Sequence, residues 1–258
     1  MRIECAGQTH VGRRAHNEDA YCVLPDLGLF VVADGLGGQE GGEVASQCVV
    51  DAFSGIGERL VRDTESTWPH RLDPARSREE NLLAACTHVA QRTIVSRRVG
   101  ELREMGSTVV AFAVGPRGAA VAHVGDSRLY RLREGTLEAL TRDHSLLEEM
   151  RAAGMEPPPR NQTNYGHLIT RALGTERADP TLTRVDLRPG DLYVLCSDGL
   201  YEPLGPEEMT RRLVLAASAS EAAEALVNGA YAAGGRDNIT AVVLRVADGV
   251  EALLSHPN

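Results

Sequence analysis

The residues GLFVVAD, at positions 28–34, constrain the fold of this chain more than any other stretch. Continuous apolar runs of this kind are typical of strands that are buried on both faces. The run leads directly into Asp34 and the sequence GLGG, so the predicted strand delivers a carboxylate to a flexible bend. Two interpretations are open here: an ordinary turn after a strand, or a ligand that the strand holds and the turn exposes.

Three more aspartates occur in the same setting, beside a predicted strand and close to glycine: Asp126, Asp198 and Asp237. Glu18 and Asp19 stand together just before another strand. For any one of these residues an ordinary turn is the simpler interpretation. As a set they predict a cluster of oxygen ligands, provided that the strand ends lie side by side. Without an obligatory cysteine or histidine, such a cluster suits Mg²⁺ or Mn²⁺ better than Zn²⁺.

Periodicity and turn residues predict an α+β protein in which helices cover β-sheets. Strands are predicted at 2–9, 20–24, 28–34, 107–114, 118–125, 127–132, 181–187, 191–197 and 239–246. Helices are predicted at 42–60, 81–104, 145–153, 206–216 and 219–233. The polar stretch 61–80 is predicted to be an irregular connection, and 154–167, with three consecutive prolines, a mobile loop.

Composition and charge limit the classes of protein that this chain can belong to. It has 258 residues, 43% of them hydrophobic, which is enough for one domain with a sizeable core. Its net charge of −9 disfavours nucleic-acid binding but is compatible with metal binding. No apolar run approaches the ~20 residues that span a bilayer, and the N-terminus lacks a secretory stretch. The five scattered cysteines indicate reduced thiols, so we expect a cytoplasmic protein without a membrane segment.

Seven motifs occur in an order that is specific to one family. They are RRAHNEDA, VVADGLGGQEGGEVAS, GSTVVAF, VAHVGDSRLYRL, LTRDHSL, LCSDGLYE and GGRDNITAVV. In this order they resemble the metal-dependent serine/threonine protein phosphatases, the PPM or PP2C family, and most closely its compact bacterial members. The resemblance implies a PP2C-like four-layer αββα sandwich, with two antiparallel β-sheets flanked by helix pairs. It also implies a single phosphatase domain over 1–248, with a flap at about 146–170 and a short C-terminal tail over 249–258.

The resemblance assigns roles to the acidic residues. Asp34 resembles the carboxylate that bridges two divalent ions, and Gly35 would offer its backbone carbonyl. Glu18 resembles the ligand to one ion, and Asp198 and Asp237 resemble the ligands to the other. Asp126, together with Asp198, would hold a third, weaker ion. Asp19 would orient ion-bound waters. Asn238 would cap the turn after Asp237.

By the same resemblance, the chain hydrolyses phosphoserine and phosphothreonine in proteins with a water that two Mn²⁺ or Mg²⁺ ions activate. Its partners would be phosphoproteins, including a bacterial serine/threonine kinase and its targets, and we expect a monomer. Three alternatives stay open: a catalytically weak regulatory relative, a phosphatase of small phosphometabolites, and a two-metal nuclease. The acidic charge and the lack of a basic, aromatic patch count against the nuclease.

Arg14 is the candidate phosphate clamp, because a guanidinium can bind two phosphate oxygens through parallel hydrogen bonds. Counting back from the NED motif selects Arg14, whereas counting forward from Gly12 points to Ala15, and Arg13 is adjacent. The alternative is that Arg13 and Arg14 are simply a solvated basic pair.

The general acid is harder to assign. Some relatives carry a histidine where this chain has Leu36, which cannot transfer a proton, and many bacterial members carry one at the position of Gln39. A metal-bound water could serve as the acid instead, and His16 and His144 are weaker candidates. A structural hydrogen bond is the simpler expectation for His144, and exposure beside the ligand loop for His16.

Overall fold

The computed structural model describes residues 2–37, 40–63, 67–69, 71–116, 118–159, 162–163 and 165–247. The predicted tail over 249–258, residue 248 and Gln39 therefore lie outside the described residues. Within them are eleven strands: β1 Arg2–His10, β2 Asp19–Leu24, β3 Leu29–Leu36, β4 Gly106–Ser107, β5 Val109–Gly115, β6 Gly118–Val124, β7 Arg128–Arg133, β8 Thr136–Ala139, β9 Thr181–Val185, β10 Leu192–Cys196 and β11 Ile239–Ala247. The helices there are α1 Glu40–Arg62, α2 Arg78–Arg97, α3 Leu146–Ala152, α4 Asp198–Leu215 and α5 Ala219–Ala232.

The strands form two antiparallel sheets, as expected. In the described residues, one sheet has the order β1-β11-β10-β7-β8, and the other has the order β2-β3-β5-β6-β9, with β4 paired to β3. One apolar cluster lies between the second sheet and helices α1 and α2. Another lies between the first sheet and helices α4 and α5, and a third fills the space between the two sheets. The αββα sandwich is therefore confirmed.

Strand β3 explains why the run at 28–34 is continuously apolar. Leu29, Val31 and Ala33 face the helices α1 and α2, whereas Phe30 and Val32 face the other sheet. A strand in the inner layer is covered on both faces, so alternation between polar and apolar residues is lost. The prediction of a buried strand here is confirmed.

Several predicted boundaries were wrong, and each for a local reason. The predicted helix 81–104 begins earlier, because Ser77 caps the N-terminus of α2 and forms a reciprocal capping pair with Glu80. It ends at Arg97, and a 3₁₀ helix follows at Gly100–Glu104. The predicted helix 206–216 is only the second half of α4, which begins at Asp198 and kinks at Gly205, where φ is 67°. Strand β8 was missed; it follows a tight turn in which Glu134 and Gly135 both have positive φ.

The antiparallel registers bring the acidic segments to the same end of the sandwich. The start of β2 pairs with the end of β3, so that Asp19 lies opposite Asp34. In the other sheet, the end of β10 pairs with the start of β11. Asp198, just after β10, and Asp237, just before β11, therefore lie at the same edge of that sheet. These pairings meet the condition on which the predicted ligand cluster depended.

Candidate metal centre

Asp34 lies within β3 rather than on the bend beyond it, which corrects the sequence prediction. The strand continues to Leu36 because Gly35 and Leu36 pair with β4. Two hydrogen bonds with Thr108 hold the backbone of Asp34. The Asp34 N–H donates to Thr108 Oγ1 at 3.1 Å, and the Asp34 carbonyl accepts from Thr108 N at 2.8 Å. Ser107 Oγ also donates to this carbonyl, at 3.1 Å. These three hydrogen bonds fix the backbone that carries the Asp34 carboxylate.

Four other carboxylates surround Asp34. Burial raises its pKa well above the usual value, and the negative charges of neighbouring aspartates raise it further; in order of effect these are Asp19, Asp198, Asp126 and Asp237. Repulsion of this kind indicates that segments far apart in sequence meet at one point. A bound cation would relieve both the repulsion and the desolvation.

Asp19 supplies the clearest test of whether a cation fits. Its Oδ2 accepts hydrogen bonds from Ser197 Oγ and Thr240 Oγ1, both at 2.7 Å. Its Oδ1 is buried and has no hydrogen-bond partner among the described residues. Burial raises the pKa of Asp19 to about 6, against the lowering effect of those two hydrogen bonds. A buried carboxylate oxygen without a donor fits an ion, or a water bound to one.

Two glycines allow helix α1 to approach Glu18. A Cβ at Gly42 would lie 2.1 Å from Glu18 Oε2, and a Cβ at Gly35 would lie 2.0 Å from the carbonyl oxygen of Gly42. Burial raises the pKa of Glu18 above its usual value. The glycine at position 35 is therefore required by the backbone of α1.

Asn238 ties the loop that carries Glu18 to the loop that carries Asp237. Its Oδ1 accepts a hydrogen bond from Glu18 N at 2.8 Å. Its Nδ2 donates to the carbonyls of Val11 and His16, each at 2.9 Å. The backbone N–H of Asn238 donates to Asp237 Oδ1 at 2.8 Å, which orients the neighbouring carboxylate.

The two adjacent arginines differ in their surroundings. Arg14 Nη2 donates to Asp237 Oδ2 at 2.7 Å, and the Arg14 side chain is 57% exposed. Arg13 Nε donates to the carbonyl of Gly234 at 2.7 Å, and its guanidinium lies 5.8 Å from the centre of the Tyr231 ring. Arg14 therefore reaches the carboxylate cluster, whereas Arg13 packs on a neighbouring turn.

Asp198 is the first residue of α4, not a residue of a turn after a strand. A Cβ at Gly199 would lie 2.0 Å from the carbonyl oxygen of Asn238, so this helix begins in contact with the Asp237 loop. Tyr201, on the first turn of α4, donates from its hydroxyl to the carbonyl of Asp126 at 3.1 Å. Its ring lies beneath the Arg128 guanidinium, whose Cζ is 3.7 Å from the ring centre. Sequence reasoning missed this link between Asp126 and Asp198, because an aromatic residue in a helix carries no such signal by itself.

Sequence reasoning also missed two residues beside Asp198. Ligand atoms of His167, Asp198 and Glu202 all lie within 4.8 Å of one another, and His167 Nδ1 is 3.3 Å from Glu202 Oε1. His167 belongs to the predicted flap, so the structure brings the flap to the carboxylate centre. The spacing of Asp198 and Glu202, four residues apart on a helix, was the available signal.

His144 has the structural role that the sequence analysis expected. Its Nδ1 accepts a hydrogen bond from Gly125 N at 3.2 Å, and its Nε2 lies 2.9 Å from Thr181 Oγ1. Burial lowers the pKa of His144 to about 3, and the neighbouring His123 lowers it further. A ring that is neutral near pH 7 carries no proton to transfer as an imidazolium.

We expect His144 to make the protein sensitive to acid. The unfolded chain takes up this proton near pH 6.5, whereas the folded protein resists it until about pH 3. Stability is therefore lost as the pH falls below about 6.5, by about 2 kcal/mol at pH 5. The measurement is the urea midpoint at both ends of this range, in a metal chelator, for the wild type and for His144→Gln. A wild-type slope no steeper than that of His144→Gln would contradict this, and His16→Gln serves as the exposed control.

The sandwich of two sheets covered by helices, with carboxylates gathered at one end, is the architecture of the metal-dependent protein phosphatases. Residues 6–229 match the protein phosphatase 2C family. The chain belongs to this family.

Named relatives agree with this membership. The chain is 34% identical to the serine/threonine protein phosphatase PstP of Mycobacterium tuberculosis, over 91% of this chain and 43% of PstP, so it spans less than half of that protein. It is 33% identical to the serine/threonine phosphatase Stp of Listeria welshimeri, over 92% of this chain and 93% of Stp. A solved structure of the PstP catalytic domain in complex with two manganese ions superimposes with a TM-score of 0.80, at 33% identity, covering 95% of this chain and 99% of that one.

Among the residues described, none of the helices combines the length and apolar character needed to cross a bilayer.

Proposed function

We propose that this chain hydrolyses phosphoserine and phosphothreonine in proteins, using two bound Mn²⁺ or Mg²⁺ ions. The observation that carries the proposal is the convergence of Asp19, Asp198, Asp126 and Asp237 on Asp34. Family membership supports it, as does the pair of manganese ions in the related PstP structure. When bound, such ions supply a water of lowered pKa as nucleophile and offset the charge of the phosphoryl group.

The proposed ligands follow the placement of the side chains. Asp34, whose backbone is held by hydrogen bonds with Ser107 and Thr108, would be shared by both ions. The backbone carbonyl of Gly35 would be a further ligand. Glu18 would serve one ion, and Asp198 and Asp237 the other. We propose a third, weaker site at Asp126 and Asp198, and that Asp19 orients bound waters through its unpaired Oδ1. Asn238 holds the Glu18 and Asp237 loops in register.

Arg14 is proposed to bind the phosphoryl oxygens. It uses Nη2 for Asp237, and within the described residues no hydrogen bond is formed by its Nε or Nη1. These donors, on a half-exposed side chain beside the cluster, can hold an anion while the guanidinium also pairs with Asp237. Because the Leu36 side chain has no ionisable group, it does not protonate the leaving alcohol.

The wider context is proposed on the same basis. Phosphoproteins, among them a serine/threonine kinase and its targets, are the proposed partners of a monomeric enzyme. We propose one phosphatase domain over residues 1–248 with a flap at about 146–170. The five cysteines, free in the structure, suit a cytoplasmic protein.

The test is hydrolysis of p-nitrophenyl phosphate and of a phosphothreonine peptide, with Mn²⁺ and with a chelator. We expect turnover of both substrates with Mn²⁺ and loss of turnover on chelation. Absence of a metal-dependent rate would instead support a catalytically weak regulatory relative. Turnover of small phosphate esters without any turnover of phosphopeptides would support a phosphatase of small metabolites.

A further inference from the structure

The turn at residues 165–168, which we call the flap turn, is held in one place by its neighbours. Leu168 N donates to the carbonyl of Tyr165 at 3.1 Å, and the Leu168 carbonyl accepts from Leu146 N, at the start of α3, at 2.9 Å. Directly after the turn, Ile169 forms an antiparallel bridge with Ser145, and Thr170 N donates to the carbonyl of His144 at 2.7 Å. The flap turn is therefore attached to the His144 segment and α3.

The flap turn also lies beside the carboxylate centre. His167, within the turn, is 3.3 Å from Glu202, and its ring lies within 4.8 Å of an oxygen of Asp198. Consecutive Cα atoms are about 3.8 Å apart. Gly166 and Leu168, the chain neighbours of His167, therefore belong to a turn that contacts the Asp198 end of the carboxylate centre.

Two large apolar side chains of this turn are exposed to solvent. Leu168 is 51% exposed and Tyr165 is 38% exposed. Apolar side chains that a fold leaves uncovered beside a binding centre are available to a ligand. Tyr165 and Leu168 stand on the same turn as His167, whose ring lies beside Asp198 and Glu202.

Charge recognition by this part of the surface is less favoured. Two of the arginines around the flap pair with glutamates: Arg142 with Glu148 at 2.7 Å and Arg177 with Glu149 at 3.2 Å. Arg151 is also paired with Glu148. An acidic residue beside the phosphorylated residue would have to compete with these pairs, whereas an apolar residue would bury free apolar surface.

We propose that the flap turn selects phosphoprotein segments with a bulky apolar residue next to the phosphorylated residue, through contact with Tyr165 and Leu168. This rests on the proposed phosphatase function and specifies its substrates. An extended peptide advances about 3.3 Å per residue, so the side chains that flank the phosphorylated residue are within reach of the turn.

The experiment compares two phosphothreonine peptides that differ only in their flanking residues, leucine in one and serine in the other. With Mn²⁺ present, kcat/KM of the wild type is expected to be about fivefold to tenfold higher for the leucine peptide. In the double variant Tyr165→Ser, Leu168→Ser this ratio is expected to fall to about one. Each protein is also assayed with p-nitrophenyl phosphate, which has no flanking residues.

The matched control is Val214→Ser, Leu215→Ser, at the far end of α4, where the two side chains are 61% and 69% exposed. It is expected to keep the wild-type peptide ratio. A wild type without the preference, or a control that loses it as fully as the flap-turn variant, would overturn the proposal. If p-nitrophenyl phosphate is hydrolysed in every case, such a result leaves the phosphatase function standing. A wild type that hydrolyses neither the peptides nor p-nitrophenyl phosphate overturns the phosphatase function itself.

Discussion

Replacing Asp34 with asparagine is expected to lower the Mn²⁺-dependent hydrolysis of p-nitrophenyl phosphate by about three orders of magnitude or more. Asp34 is the residue on which the other carboxylates converge, and its backbone is fixed by Thr108 and Ser107. Asparagine has nearly the same shape but no charge, so the ions lose the ligand that they are proposed to share. The nucleophile and the neutralisation of the phosphoryl charge are then lost together.

The same variant separates loss of the site from loss of the fold. Burial and neighbouring negative charges raise the pKa of Asp34, so its charged form destabilises the metal-free protein. Asp34→Asn is therefore expected to unfold, without metal, at a temperature no lower than that of the wild type. Added Mn²⁺ should raise the melting temperature of the wild type more than that of the variant. Binding of an ion to the folded state stabilises that state, and the variant is expected to bind the ions less tightly.

The matched control for this experiment is Asp26→Asn. Asp26 is an exposed aspartate in the 3₁₀ helix at Pro25–Leu27, and its substitution should leave both activity and the response to Mn²⁺ unchanged. Retention of more than about a tenth of the wild-type rate in Asp34→Asn would contradict the proposed role of Asp34.

Arg14→Ala is expected to lower kcat/KM for a phosphopeptide by about two orders of magnitude, whereas Arg13→Ala should change it by less than about threefold. Arg14 reaches Asp237 and has further donors for an anion, but Arg13 is engaged with the Gly234 carbonyl and the Tyr231 ring. Arg14→Lys should restore only part of the loss, because an ammonium cannot form the parallel pair of hydrogen bonds.

A second measurement distinguishes phosphate binding from support of the metal centre. If Arg14 binds the phosphoryl group, its removal should not weaken Mn²⁺ binding measured by calorimetry, because the Asp237 carboxylate loses a competing cation. Equal losses of activity in Arg13→Ala and Arg14→Ala would contradict the assignment. So would a loss in Arg14→Ala that higher Mn²⁺ concentrations fully reverse.

Local patterns were sufficient for most elements of the fold. The apolar run at 28–34 predicted a buried strand, and β3 is covered on both faces. Some errors lie where tertiary contacts override local signals. The turn-like sequence after Cys196 begins a helix, because Gly199 packs on the Asn238 carbonyl and Tyr201 bonds to the Asp126 carbonyl. Position 36 continues a strand only because the two-residue strand β4 pairs with it.

The amino-acid sequence determined which carboxylates are candidate metal ligands, because each of them stands next to a strand that is hydrophobic enough to be buried. Its periodicity also determined that helices cover β-sheets, since strands of that kind need helices or a second sheet on each face, whereas the αββα arrangement was implied by the resemblance to the family. Only the tertiary structure decided that Arg14 rather than Arg13 reaches the cluster, that Asp19 keeps an unpaired oxygen, and that the flap turn adjoins Asp198. The physical reason is distance along the chain: contacts between residues more than 220 positions apart, as between Arg14 and Asp237, depend on the register of whole strands, which no local pattern encodes.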